Sequence, residues 1–167
     1  AANLIGVLAS RGTGVPVVWG VRSACETLGW KERLPLVVGR AFARGEFVIH
    51  YQPIVTMKER RIVAFEALLR WLHPEKGLLG PESFLSVVSD TGMLVKLDWW
   101  VLEQACAQAR EWRNMFSDGA RLGISVNVSA GMFRADNAAQ RLMQLVRDSG
   151  LSPSDLSLEL TERDCMD

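Results

Sequence analysis

Three oxygen-bearing side chains, Glu66, Asn127 and Glu159, stand at matching places in three successive strand-like stretches of this 167-residue chain. Glu66 lies in the middle of Ile62-Val63-Ala64-Phe65-Glu66-Ala67-Leu68-Leu69-Arg70-Trp71, an apolar run of strand length. Side chains alternate faces along a strand, so Ile62, Ala64, Glu66, Leu68 and Arg70 share one side. In Gly123–Ser129 the aliphatic Ile124, Val126 and Val128 oppose Gly123, Ser125, Asn127 and Ser129. In Leu156–Thr161, Leu156, Leu158 and Leu160 oppose Ser157, Glu159 and Thr161. Two carboxylates and a carboxamide form a hard, all-oxygen set, which suits Mg²⁺ or Mn²⁺ and suits zinc poorly. Such an ion serves phosphate chemistry, because it neutralises non-bridging oxygens and lowers the pKa of a bound water. Arg70 reaches the same rim, where a guanidinium matches the fork of a phosphate. Gln52, near the end of an earlier strand, offers a donor and an acceptor to a base edge.

Each of these residues also has a structural reading. Glu66 can be a core charge paired with Arg70, and Arg70 can be held by Glu75 or Glu82. Gln52 can bond backbone, Asn127 can be a strand-end hydrogen-bonder, and Glu159 can be a solvated edge residue. The shared offset on three consecutive strands is what favours one site.

The elements that must position these groups follow from periodicity. Leu34, Val38, Ala41 and Phe42 have helical spacing, with Gly45 as a stop. Phe47–Val55 reads as a strand, Lys58–Arg61 as a charged turn and His73–Gly77 as a loop. Pro81 opens a short helix carrying Phe84, Val87 and Val88 and closed by Gly92. A long helix covers about Leu94 to Phe116, with Leu94, Leu97, Val101, Ala105, Ala109 and Trp112 on one face. Another spans about Asn137 to Ser149, stopped by Gly150. Strands alternating with helices predict a parallel α/β sheet whose aliphatic face meets the helices. The polar face then lines a barrel interior or cleft, and the carboxyl ends of its strands are where such folds build sites.

Composition narrows the class. Apolar content of 49%, charged content of 23% and a net charge of zero describe a globular chain without a basic patch, so no nucleic-acid polymer or membrane surface is expected as a partner. The three cysteines, Cys25, Cys106 and Cys165, are odd in number and widely spaced, which argues against a disulfide framework or zinc site and fits a reducing cytoplasm. Cys106 reads as a small core residue and the tryptophans of the long helix as packing residues. No apolar run reaches membrane-spanning length, and the interrupted N-terminal stretch does not read as a signal peptide. Residues 1–33 carry no motif. Ser10–Pro16 is a breaker cluster and Val17–Trp19 a possible short strand, and the segment stays open between a linker, the tail of an upstream domain and out-of-frame sequence.

Taken together, Tyr51-Gln52-Pro53-Ile54-Val55, Glu66-Ala67-Leu68-Leu69-Arg70-Trp71, His73-Pro74, Gly80-Pro81 and Phe84 resemble the EAL domain family. The likeness continues in order through Trp99–Gln108, Val126-Asn127-Val128-Ser129 and Leu158-Glu159-Leu160-Thr161-Glu162, covering about residues 34–167. The resemblance implies a modified TIM barrel whose first strand runs antiparallel to the others, and a bacterial cyclic di-GMP phosphodiesterase that opens its substrate to linear pGpG. It implies Glu66, Asn127 and Glu159 as ligands of Mg²⁺ or Mn²⁺, with Glu66 and Glu159 thereby catalytic. It also implies Gln52, Leu69 and Arg70 as substrate contacts, and Glu162 as the glutamate that steadies a catalytic loop.

The family's later Asp-Asp-Phe-Gly segment, catalytic lysine and last metal-binding glutamate have no counterpart here. A TIM barrel takes roughly 250 residues. The expectation is therefore a truncated EAL domain over 34–167, the first half of a barrel, inactive alone and prone to homodimerise or associate through exposed sheet edges. The competing expectations are a non-catalytic EAL-derived module that senses nucleotide or binds a protein, and a truncated gene remnant.

Overall fold

A computed structural model of the protein describes residues 34–89, 93–115 and 122–160. The expectations for residues 1–33, Gly92, Phe116, Thr161, Glu162 and Cys165 lie outside the described residues.

Helix α1 (Leu34–Ala43) leads into strand β1 (Phe47–Val55). A charged turn returns the chain along β2 (Ile62–His73), antiparallel to β1, with Phe47 opposite Trp71 and Gln52 opposite Glu66. The stretch expected as a loop is tighter than that. His73 closes β2 and Gly77 opens a short strand β3 (Gly77–Leu79), which folds back on the last residues of β2. The His73 ring caps the turn between them, its Nδ1 accepting the backbone N–H groups of Glu75 at 3.1 Å and Lys76 at 3.2 Å. The helix expected from Pro81 is two pieces, a 3₁₀ turn at Pro81–Ser83 and α2 (Leu85–Ser89), broken where Phe84 turns into the core.

Helix α3 (Met93–Met115) then crosses to β4 (Gly123–Val128), which pairs parallel to β2. Two helices, α4 (Ala130–Arg134) and α5 (Ala138–Ser149), precede β5 (Leu156–Leu160), parallel to β4. Only α4 among these has no counterpart in the periodicity. Gly150 ends α5 with φ 70°, a left-handed conformation that glycine adopts without steric cost, and its N–H returns to the Arg147 carbonyl at 3.1 Å. The sheet order is β1-β2-β4-β5 with β3 beside β2. Among the described residues this is a mixed α/β sheet that does not close, with an antiparallel first strand, as expected. No described helix is long and apolar enough to cross a membrane.

The two faces of the sheet differ as the alternation requires. Phe47 and Ile49, then Phe65, Ala67 and Trp71, then Ile124, Val126 and Val128 are buried. The middle of the sheet packs on Val101, Leu102, Ala105, Cys106 and Ala109 of α3. Phe47, Trp71 and Leu79 join Val38, Ala41, Phe84, Val88 and Leu97 in a second cluster near the end of β2. The Cys106 thiol is fully buried, and burial pushes it up to about 11, consistent with a small core residue. Trp112 packs against Tyr51 and Phe65, so it too is a packing residue.

α3 also fixes both ends of the parallel strands. Asp98 Oδ2 accepts the Ser129 hydroxyl at 2.5 Å and the Ser129 N–H at 3.2 Å, which ties α3 to the chain just after β4. At the other end Arg113 donates to the Gly150 carbonyl at 2.7 Å and pairs with Asp155, whose Oδ2 also accepts the Ser152 N–H at 3.2 Å before β5 begins.

Leu102, at 0% exposure under the sheet, is expected to report this packing directly. Leu102→Ala should lower unfolding stability by about 2–5 kcal/mol. Met143→Ala on α5, where the side chain is 46% exposed, should stay within about 0.5 kcal/mol of the parent. Urea denaturation midpoints measure both.

Candidate functional site

The polar side of the sheet is the side that the described helices leave bare. Cross-strand register places Gln52, Glu66, Ser125 and Ser157 in one row across β1, β2, β4 and β5. One step toward the carboxyl ends of the parallel strands, Asn127 stands opposite Glu159. Residues two apart on a strand face the same way, so both rows look onto one surface.

Hydrogen bonds join the rows diagonally. Asn127 Nδ2 donates to Glu66 Oε1 at 2.8 Å. The Ser125 hydroxyl donates to Glu159 Oε1. Strand β4 thus supplies a donor to the carboxylate on each of its neighbours. Glu66 is half-buried, Asn127 and Glu159 are exposed, and Ser125 is buried beneath them. Glu66 is therefore held by an amide rather than by Arg70, and Glu159, though exposed, is anchored.

Arg70 lies on the same face four residues along. Its Nη1 donates to the Leu69 carbonyl at 2.8 Å. Partial burial lowers the guanidinium pKa, and the nearby carboxylates of Glu82 and Glu66 oppose that shift. Leu69 points the other way, with its side chain packed against both apolar clusters, so its contribution to this face is the carbonyl that steers Arg70. Gln52 is exposed opposite Glu66. Glu162 lies outside the described residues.

The structure thus brings Glu66, Asn127 and Glu159 together, with Gln52 and Arg70 at the margin. Two further residues of this face were given no role from the sequence. Ser125 was placed on the polar side by alternation, yet a serine in a strand gives no chemical signal until its partner is known. His50, opposite Leu68 on β1, sits between the levels of Gln52 and Arg70, and the alternation along Phe47–Val55 places it on the same face. Burial, reinforced by the Arg70 guanidinium, lowers the His50 imidazole pKa.

Below the diagonal bonds the face is concave. A space of about 330 Å³ is bordered by Ile54, Ala64, Gly123, Ser125, Ser157 and Glu159, with the turn residues Ser154 and Asp155. Gly123 keeps it open, because a Cβ there would come within 3.2 Å of the Ala64 Cβ.

The donor chemistry fits a hard divalent cation. Among the described residues no three His, Cys, Asp or Glu side chains converge, so an ion here would be held by two carboxylates and an amide oxygen. That set places a carboxylate on each side of β4, and among the described residues no cation is hydrogen-bonded to either, so a bound divalent ion would balance them.

An α/β sheet with an antiparallel first strand and an acidic, amide-bearing cluster facing its open side defines a portion of a barrel-type domain. The EAL domain family model matches residues 37–167, and the chain belongs to that family. The bifunctional diguanylate cyclase/cyclic di-GMP phosphodiesterase MucR of Pseudomonas aeruginosa is 37% identical over 138 residues, covering 81% of this chain and 20% of that protein. An uncharacterised protein of Mycobacterium tuberculosis is 40% identical over 122 residues, covering 73% of this chain and 39% of that one. Among solved structures, the PaMucR phosphodiesterase in complex with c-di-GMP superposes with a TM-score of 0.73 at 36% identity, covering 80% of this chain and 53% of that one. The chain therefore spans about half, or less, of the length of these relatives.

The lowered His50 pKa sets a sign for the pH dependence of stability. The unfolded chain binds a proton that the folded protein resists, so stability falls as pH drops through the ordinary imidazole range toward the lowered native value. Thermal unfolding midpoints followed from roughly pH 8 to pH 5 should fall, and His50→Gln should flatten part of that fall.

Proposed function

We propose that this chain supplies the nucleotide- and metal-binding portion of a cyclic di-GMP phosphodiesterase, with Glu66, Asn127 and Glu159 holding one Mg²⁺ or Mn²⁺. The observation that carries this reading is the crossed pair of hydrogen bonds through which β4 gathers Glu66 and Glu159 onto one face. A divalent ion held there would neutralise non-bridging phosphate oxygens and lower the pKa of a water molecule.

The chain's own residues do the rest. With an ion bound, Asn127 would present its amide oxygen to it in place of the Nδ2–H that now bonds Glu66. Arg70, steered by the Leu69 carbonyl, presents its planar fork to a phosphate of the ligand, and its weakly hydrated guanidinium suits that partly buried place. Gln52, across from Glu66, offers its amide to the edge of a guanine. Glu162, two residues beyond the last described residue, is the candidate for steadying the catalytic loop. The relatives support this substrate class: MucR is a bifunctional diguanylate cyclase/cyclic di-GMP phosphodiesterase, and the PaMucR phosphodiesterase structure is a complex with c-di-GMP.

The test is incubation of the purified 167-residue chain with Mn²⁺ and cyclic di-GMP, reading thermal stability and the linear dinucleotide together. Ligand at about 100 times its Kd should stabilise the folded state by about 2.7 kcal/mol. That stabilisation should require Mn²⁺ and be lost in Glu66→Gln and Arg70→Ala. Stabilisation with linear product establishes the phosphodiesterase, stabilisation without product establishes a nucleotide-binding module, and the absence of both overturns the proposal.

A further inference from the structure

Ser125 is 2% exposed, yet its hydroxyl is aimed at the one carboxylate that β5 contributes to the polar face. Its position in the register is central, with Glu66 on one side and Ser157 on the other, and Asn127 two residues along. A buried hydroxyl in a strand otherwise packed with Ile124, Val126 and Val128 carries a desolvation cost that a partner must offset. Its partner is Glu159 Oε1. The same strand restrains Glu66 through Asn127, so neither carboxylate is left to swing freely.

We infer that Ser125 is a positioning residue for the cation site: by donating to Oε1 it fixes the rotamer of Glu159 and leaves Oε2 as the oxygen that meets the ion. This rests on the metal-binding reading above and names a residue that reading does not use. The physical basis is that a glutamate on an exposed strand surface has three free torsions, and ordering them on ion binding weakens affinity unless they are ordered beforehand. Ser125 does that from below, where it cannot itself reach solvent. Ser125 and Glu159 both border the concavity of the polar face, so the hydroxyl holds the carboxylate at the edge of the space where an ion would sit.

Mn²⁺ binding to the full chain, followed by the loss of the free-ion electron paramagnetic resonance signal without any nucleotide, tests this. Ser125→Ala should weaken Mn²⁺ about tenfold, as loss of a group orienting a ligand does. Ser125→Thr, which keeps the hydroxyl on a side chain suited to a strand, should bind close to wild type. In a Glu159→Ala background, Ser125→Ala should add nothing, because its route to the ion is gone. A merely structural serine would instead weaken binding equally with or without Glu159, and that result overturns the inference. Wild-type affinity in a folded Ser125→Ala chain overturns it as well. A wild-type chain that takes up no Mn²⁺ overturns the metal reading itself, which separates the two failures.

Discussion

The structure depends on a constraint of period two. Along β2 the buried Phe65, Ala67 and Trp71 commit one face to the helices, and once they are committed Glu66 and Arg70 have only the other face to occupy. The same division on β4 and β5 sends Ser125, Asn127 and Glu159 to that side. A slip of one residue in any of these strands would put a carboxylate or an amide under α3 and an aliphatic side chain in its place on the polar face. Core packing and the polar cluster are thus two readings of a single register, and the aliphatic side enforces it.

α3 converts that local rule into a three-dimensional arrangement. It lies across the strands and is tied at both ends, by Asp98 to Ser129 after β4 and by Arg113 to Gly150 and Asp155 before β5. These ties fix where β4 stops and where β5 starts, which sets Asn127 opposite Glu159. The Asp98 bond is buried and the Asp155 carboxylate is buried as well, so each is shielded from the solvent competition that weakens surface pairs. A helix distant from the polar surface thereby governs the spacing of its residues.

Much of this was legible in the chain. The bounds of β1 and the faces of β2, β4 and β5 follow from alternation that helix burial then reinforces, and Glu66, Asn127 and Glu159 share one face of the sheet, with Glu66 one step behind the other two in register. What was not legible depends on partners distant in sequence or on a single side chain redirecting the backbone. β3 pairs with the end of β2 across a tight turn whose N–H groups the His73 ring accepts. The break at Phe84 reflects a ring drawn into the core between two short helical pieces. Ser125 is silent until β5 lies beside it, and Arg70 hydrogen-bonds the carbonyl next to it while Glu82 and Glu66 act on it through charge. The family likeness gave Leu69 a ligand contact, while its side chain belongs to the apolar clusters and only its carbonyl serves the polar face.

The hydrogen bond between Asn127 and Glu66 joins residues 61 positions apart, whereas β1 and β2 meet across a short turn. Closing a loop costs entropy that grows with its length, roughly as (3/2)RT ln n. Contacts across long separations form only after nearer ones have reduced the search. The hairpin can assemble early from its own neighbours, but the acidic cluster must wait for α3 to dock and for β4 to find β2. Its geometry is consequently a late product of folding, and an intact cluster certifies that the long-range topology of the described chain is complete.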